Sequence, residues 1–244
     1  MRTFTFIAIT LLAGAIAGTI LSTINQGIVE PFIEKAIALE NQKAMSSGEM
    51  INPTQFENYR IWQKGGEIAA GTILGLSLGA LFGLVFAYAR DSIPASSNKK
   101  KALILAVIML FVLYIVPALK YPANPPAVGD PATISYRQSQ YIGFLAISGF
   151  SALGLAFLYR KLGKDGKHEA KKILVPAIYG AIMIVAYAAM PPNPDPITAP
   201  MDLVIGFRIA SGFTMGIFWA LLGIILGTFW DKLKPHETTR VRTL

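Results

Sequence analysis

PALKYPANPPAVGDPATISYRQSQY, residues 117–141, interrupts a chain that is otherwise strongly apolar. Pro117, Pro122, Pro125, Pro126 and Pro131 cannot continue a helix, and they push the residues before them towards extended geometry. Apolar runs long enough to cross a bilayer flank the stretch on both sides. It therefore reads as a stiff connection at a membrane surface, carrying Lys120, Tyr121, Asn124, Asp130, Tyr136 and Arg137. A weaker copy, AMPPNPDPITAPMDLVIGFR, occupies 189–208. Each segment leads into an aromatic-arginine pair, Tyr136-Arg137 or Phe207-Arg208.

Composition agrees with a lipid solvent. The 244 residues are 53% hydrophobic and only 15% charged, with a mean hydropathy of +0.51; soluble domains carry about a quarter charged residues. With no cysteine, a disulfide framework, a thiolate metal site and a Cys nucleophile are all excluded. The net charge of +8 does not indicate nucleic acid, because the basic residues cluster in short segments without interleaved aromatic stacking platforms.

The expected fold is an all-α polytopic membrane protein, a single membrane domain of about six transmembrane helices. The first span opens the chain: Phe4–Ile24 carries no charge and is too long for the core of a signal peptide. An outer loop or cap follows at 25–65, in which VEPFIEKAIALENQKAM has a helical apolar rhythm and GEMINPTQ breaks it. Spans are then expected near 66–89, 102–119, 139–158, 173–190 and 203–229. Basic loops at 90–101 and 160–172 and a basic tail at 230–244 would face the cytoplasm, leaving the Pro-rich segments 117–138 and 190–203 outside. On this topology 15 of the 22 Lys and Arg residues fall on the cytoplasmic side with both termini. The implied location is a cell membrane, crossed several times, with both termini on its cytoplasmic side.

Gly71, Gly75, Gly79 and Gly83 recur every four residues, on one helix face, where a second helix can approach closely. Gly212, Gly216, Gly223 and Gly227 are expected to pack the last span in the same way. Tyr59-Arg60, Tyr136-Arg137 and Phe207-Arg208 each stand where an even-numbered span begins, as three repeated helical hairpins would place them.

Arg208 is the sharpest single residue, since it lies inside an apolar run and must snorkel or find a partner. Asn124, Asp130, Asn193, Asp195 and Asp202 offer oxygens that could seat a partly dehydrated cation. They could equally close turns between prolines, the commoner use of Asn and Asp. Glu67 opens the second span, at the interface or facing an aqueous vestibule. His168 and His236 are isolated in sequence, and Met183, Met190, Met201 and Met215 suit core filling better than soft-ion capture. No HExxH, GxSxG or P-loop pattern is present, so no enzyme chemistry is indicated.

LKYPANPPAVGDP (119–131), YRQSQY (136–141) and FRIASGFTMGIFWALLG (207–223) together resemble the CbtA-type cobalt transporter family. The matching positions are Lys120, Tyr121, Pro122, Asn124, Pro125, Pro126, Gly129, Asp130, Arg137, Phe207 and Arg208. The resemblance implies a multi-pass subunit that imports Co2+ for cobalamin synthesis, with a small single-helix companion and no permanently bound cofactor. Many such proteins have a histidine-rich first outer loop, whereas 25–65 contains no histidine. Cobalt favours imidazole among its ligands, so a partner would supply nitrogen, oxygens would suffice, or the cargo differs. An accessory or scaffold subunit of a larger membrane complex and a small-solute transporter remain open alternatives.

Overall fold

The computed structural model describes residues 2–48, 50, 52–126, 128–161 and 168–236. Glu49, the middle of the basic segment 160–172 and the tail beyond His236 lie outside the described residues. The order is α1 (Thr3–Ile28), α2 (Glu30–Ser46), α3 (Pro53–Ala89), α4 (Asn98–Lys120), α5 (Ile134–Lys161), α6 (His168–Ala189) and α7 (Met201–Leu233), with no strand among the described residues. Five of these helices are long and apolar enough to cross a membrane, and α6 contributes a shorter apolar stretch, Ile173–Ala189. This is an all-α polytopic membrane protein. Exposed apolar side chains such as Ile73, Leu84, Phe150 and Ile184 make sense on helices solvated by lipid.

One boundary moves. The second span was expected from Gly66, but α3 starts at Pro53, where Asn52 Oδ1 accepts from the amides of Thr54 (3.1 Å) and Gln55 (3.2 Å). Gly65 and Gly66 lie inside the helix facing open space, so they do not interrupt it. At 37 residues α3 is about 55 Å long, well beyond the roughly 30 Å of hydrocarbon. The stacked pair Tyr59 and Trp62, ring centroids 5.9 Å apart, lies in its polar first turns, where amphipathic rings favour the headgroup level.

The chain forms two compact units, Met1–Ile108 with Ile209–Leu244, and Met109–Arg208. In the first, α1 and α3 pack backbone to backbone. A Cβ on Gly75 would overlap the Gly14 carbonyl and sit 2.8 Å from Gly18 Cα, and one on Gly79 would sit 2.6 Å from Gly14 Cα. Gly71 is closed by Ser22 and Gly83 by Thr10. Such contact removes side-chain volume from the interface, so dispersion and Cα–H···O contacts hold it together with the 2.8 Å hydrogen bond between the Thr19 and Thr72 hydroxyls. Gly223 and Gly227 pack against the first turns of α4, at Ala102, Ala106 and Lys99. Gly216, expected to join Gly212 in the same role, faces open space instead. Phe6, Phe82, Phe86, Trp219 and Trp230 fill the remaining core of this unit.

In the second unit α4 carries a π-helical turn, Phe111–Ile115, just before Pro117. The Val116 amide donates five residues back to Phe111 O, and Pro117 has no N–H to continue that register to Val112 O. A buried carbonyl cannot stay without a donor, and Ser148 Oγ supplies one at 2.5 Å. Ser148 has a single proton and gives it to Val112, so the 2.7 Å contact with Tyr179 must be a donation from the tyrosine hydroxyl.

Candidate functional site

The two proline segments lie against each other within the second unit, and their polar groups do the fastening. Gly129 has φ +100, and a Cβ there would fall 2.6 Å from Asp195 Oδ2 and 2.8 Å from an Arg137 nitrogen. Only glycine combines that backbone with that proximity. The turn it makes aims the Asp130 amide at Asp195 Oδ2, 2.9 Å away. Thr133 Oγ1 donates to the same oxygen at 2.6 Å, and Arg137 Nε completes an ion pair with it at 3.0 Å. The Asp195 side chain is only 7% exposed, so this charge is neutralised inside the protein rather than by water. Arg137 also reaches the carbonyl of Asp130 at 3.1 Å.

Local turn chemistry prepares each piece. Asp130 Oδ1 caps the 3-10 turn Pro131–Thr133 by accepting from Ala132 N at 2.8 Å. Asn193 Oδ1 accepts from the Asp195 amide at 3.1 Å, an Asx turn that presents the carboxylate. Further along, Tyr121 donates its hydroxyl to Pro191 O at 2.6 Å, and Lys120 Nζ donates to Tyr187 O at 2.8 Å while lying 4.5 Å from the Tyr187 ring centroid. Burial, and then the neighbouring Tyr136, push the Tyr121 phenol above its ordinary 10.0, which keeps it a donor. Tyr136 itself is exposed.

Arg208 is held from the same segment. Its Nε donates to Ala123 O at 3.2 Å and a terminal nitrogen to Asn124 Oδ1 at 2.6 Å. A guanidinium two turns inside α7 thus meets polar backbone drawn down to it, which offsets its desolvation. Among the oxygens expected to seat a cation, Asn124 Oδ1, Asp130 Oδ1, Asn193 Oδ1 and Asp195 Oδ2 each hold an internal donor. Asp202 is exposed in the first turn of α7, outside this network. Among the described residues no group of three or more His, Cys, Asp or Glu side chains is placed to hold a metal ion.

The family model described as "Probable cobalt transporter subunit (CbtA)" matches residues 3–231, from the start of α1 to the last turn of α7. The chain belongs to the CbtA family. No curated protein and no solved structure matched it.

This CbtA-family chain has a second polar cluster, in its first unit, where α1, α2 and α3 meet. Glu30 is buried and pairs with Arg60, with Lys64 Nζ 3.6 Å away and also 2.5 Å from Glu34. The Lys64 hydrogen bond holds the Glu34 carboxyl below its ordinary 4.5 against the opposing effect of burial, with the charges of Lys64 and Arg60 adding to it. Glu67 shares a hydrogen bond with the Asn25 side chain and so belongs to this cluster, not to the proline segments.

Several residues of these polar clusters carry little signal in the sequence. Thr133 carried a usable signal, standing one helical turn before Arg137. Pro117 implied an orphan carbonyl one turn back, and Ser148 answers it. Tyr187 and Glu30 carried no comparable signal, since their partners lie 67 and 30 residues away.

Proposed function

We propose that this chain is the multi-pass membrane subunit of a transporter that admits Co2+ to a prokaryotic cell for cobalamin synthesis. The family match across residues 3–231 carries the reading. In it, Arg137 and Arg208 fasten the two proline segments into one rigid outer rim and do not touch the ion. Asp202, exposed beside that rim, is the carboxylate left to meet an arriving cation, with Asn124, Asp130, Asn193 and Asp195 contributing if the fastening opens. The Arg2 amide donates to Pro235 O at 2.8 Å, which supports an even number of crossings. Both ends are then cytoplasmic by their basic flanks. A companion subunit, for which the family description's word "subunit" is the support, would supply nitrogen ligands.

The occupied oxygens of the rim favour a second reading, in which the chain is an accessory subunit without a pathway of its own. Uptake into proteoliposomes containing a cobalt-quenched dye separates the two. Uptake by the purified chain, or by the chain with its co-purifying partner, and its loss in Asp202→Ala with Arg208→Ala, is expected. Uptake by a partner without this chain would establish the accessory reading, and no uptake in any combination would contradict both.

A further inference from the structure

The first unit gathers, at one end, the start of α1, the end of α3, the start of α4 and the end of α7. Trp230 is the hub. Its ring packs edge-on against Phe86 (5.0 Å) and Phe6 (5.9 Å), and the Arg90 guanidinium lies 5.6 Å from its centroid. The next residue, Asp231, caps α4, accepting from the amides of Asn98 (3.2 Å) and Lys99 (3.1 Å). The Arg2 amide closes the ring on Pro235 O.

This convergence brings together side chains that are far apart in sequence. Among the described residues, Arg2, Arg90, Lys99, Lys100, Lys101, Lys232 and Lys234 share the end with the carboxylates of Asp91 and Asp231. Asp231 is engaged by the α4 amides, and Asp91 lies 3.5 Å from Arg90. At the other end of the same unit, Glu30, Glu34, Glu40, Glu57 and Glu67 nearly balance Lys35, Lys43, Arg60 and Lys64. The basic excess is thus a property of one end. It also adjoins an apolar face: Lys100 is followed at helical spacing by Ile104, Val107 and Ile108, which are 40%, 65% and 49% exposed.

We propose that this end binds an anionic phospholipid, its phosphodiester on Lys99, Lys100 and Lys101 and an acyl chain along Ile104, Val107 and Ile108. A charged head beside a continuous aliphatic stripe matches the two halves of a lipid. An acidic peptide or free phosphate would use only the basic half. The inference is independent of cobalt, and its failure would leave the transport reading untouched.

The test uses the full chain purified in a neutral detergent. Binding of phosphatidylglycerol, phosphatidylcholine and inorganic phosphate is followed by native mass spectrometry and by the shift in Tm. Phosphatidylglycerol should bind far better than the other two, and its affinity should fall as salt is raised. Basic residues near an anionic headgroup are worth about fivefold in affinity each. Combined Lys99→Gln, Lys100→Gln and Lys101→Gln should therefore weaken binding about a hundredfold, while Lys35→Gln with Lys43→Gln leaves it unchanged. Val107→Asn should weaken phosphatidylglycerol without affecting phosphate. Equal binding of phosphatidylcholine, equal stabilisation by phosphate, displacement by a polyglutamate peptide, or insensitivity to the triple lysine change would each overturn the proposal. Should the triple variant fail to fold, wild-type affinity that does not change with salt would overturn it too.

Discussion

The α1–α3 interface and the fastened proline segments are both tight, but they are tight for opposite reasons. Between α1 and α3, Gly75 and Gly79 let the backbones meet at Gly14 and Gly18, and only small side chains, Ser22 at Gly71 and Thr10 at Gly83, enter the contact. The described residues of 121–130 and 190–200 form no helix or strand, and polar side chains define the contact atom by atom. A lipid-embedded interface has no hydrophobic drive of its own, so close packing must do the work. At a membrane surface the irregular backbone has amides and carbonyls to satisfy, so hydrogen bonds must do it. The first interface should therefore respond to volume, and the second to charge and donors.

Volume gives the largest effect. Gly75→Leu should abolish recovery of monodisperse protein, and Gly75→Ala should destabilise by on the order of 3 kcal/mol in detergent unfolding. Gly66→Ala, on the same helix but facing open space, should be neutral or stabilise by about 0.5–1 kcal/mol. Equal effects at the two positions would remove the volume argument.

Charge comes next. Asp195→Ala leaves Arg137, Thr133 and the Asp130 amide without their shared acceptor, and should cost roughly 3 kcal/mol. Adding Arg137→Met should recover part of that loss, which a double-mutant cycle measures. Additive single effects would mean that the pair is not coupled.

Between these two extremes lies the buried hydroxyl node. Ser148→Ala strands Val112 O and should destabilise by about 1–3 kcal/mol. The cost should shrink if a second change lets α4 regain an amide donor, as Pro117→Ala would.

The smallest effect belongs to the exposed Glu34–Lys64 pair. Because the folded carboxyl is held below its ordinary 4.5, its contribution is present above that value and disappears as pH falls through the lower folded value. A wild-type minus Glu34→Gln comparison of Tm should therefore show a small difference at pH 6 that vanishes in stronger acid. A difference that grows on acidification would contradict the assignment.

How much of this was legible in the sequence follows from range. The helices were legible, because long apolar runs leave few alternatives in lipid, and so was the shared face of Gly71, Gly75, Gly79 and Gly83. The start of α3 was not, because FENYRIWQKGGE is polar and its paired glycines look like a break, whereas Asn52 and Pro53 nucleate the helix earlier. Arg208 announced that it needed partners, but not that they would be the Ala123 carbonyl and the Asn124 amide. Nothing local distinguished Asp195 from Asp130 or Asp202. What distinguishes it is a turn at Gly129, 66 residues earlier, whose positive φ aims a backbone amide at it.

The central claim is that the oxygens of the proline segments hold the segments together. Hydrogen exchange of the Asp130 amide, read at single-residue resolution in the detergent-solubilised chain, tests it most directly. Protection in the wild type and loss of at least about tenfold of it in Asp195→Ala would be the expected result. An Asp130 amide that exchanges in the wild type as fast as a freely exposed one, or whose protection survives Asp195→Ala, would contradict it.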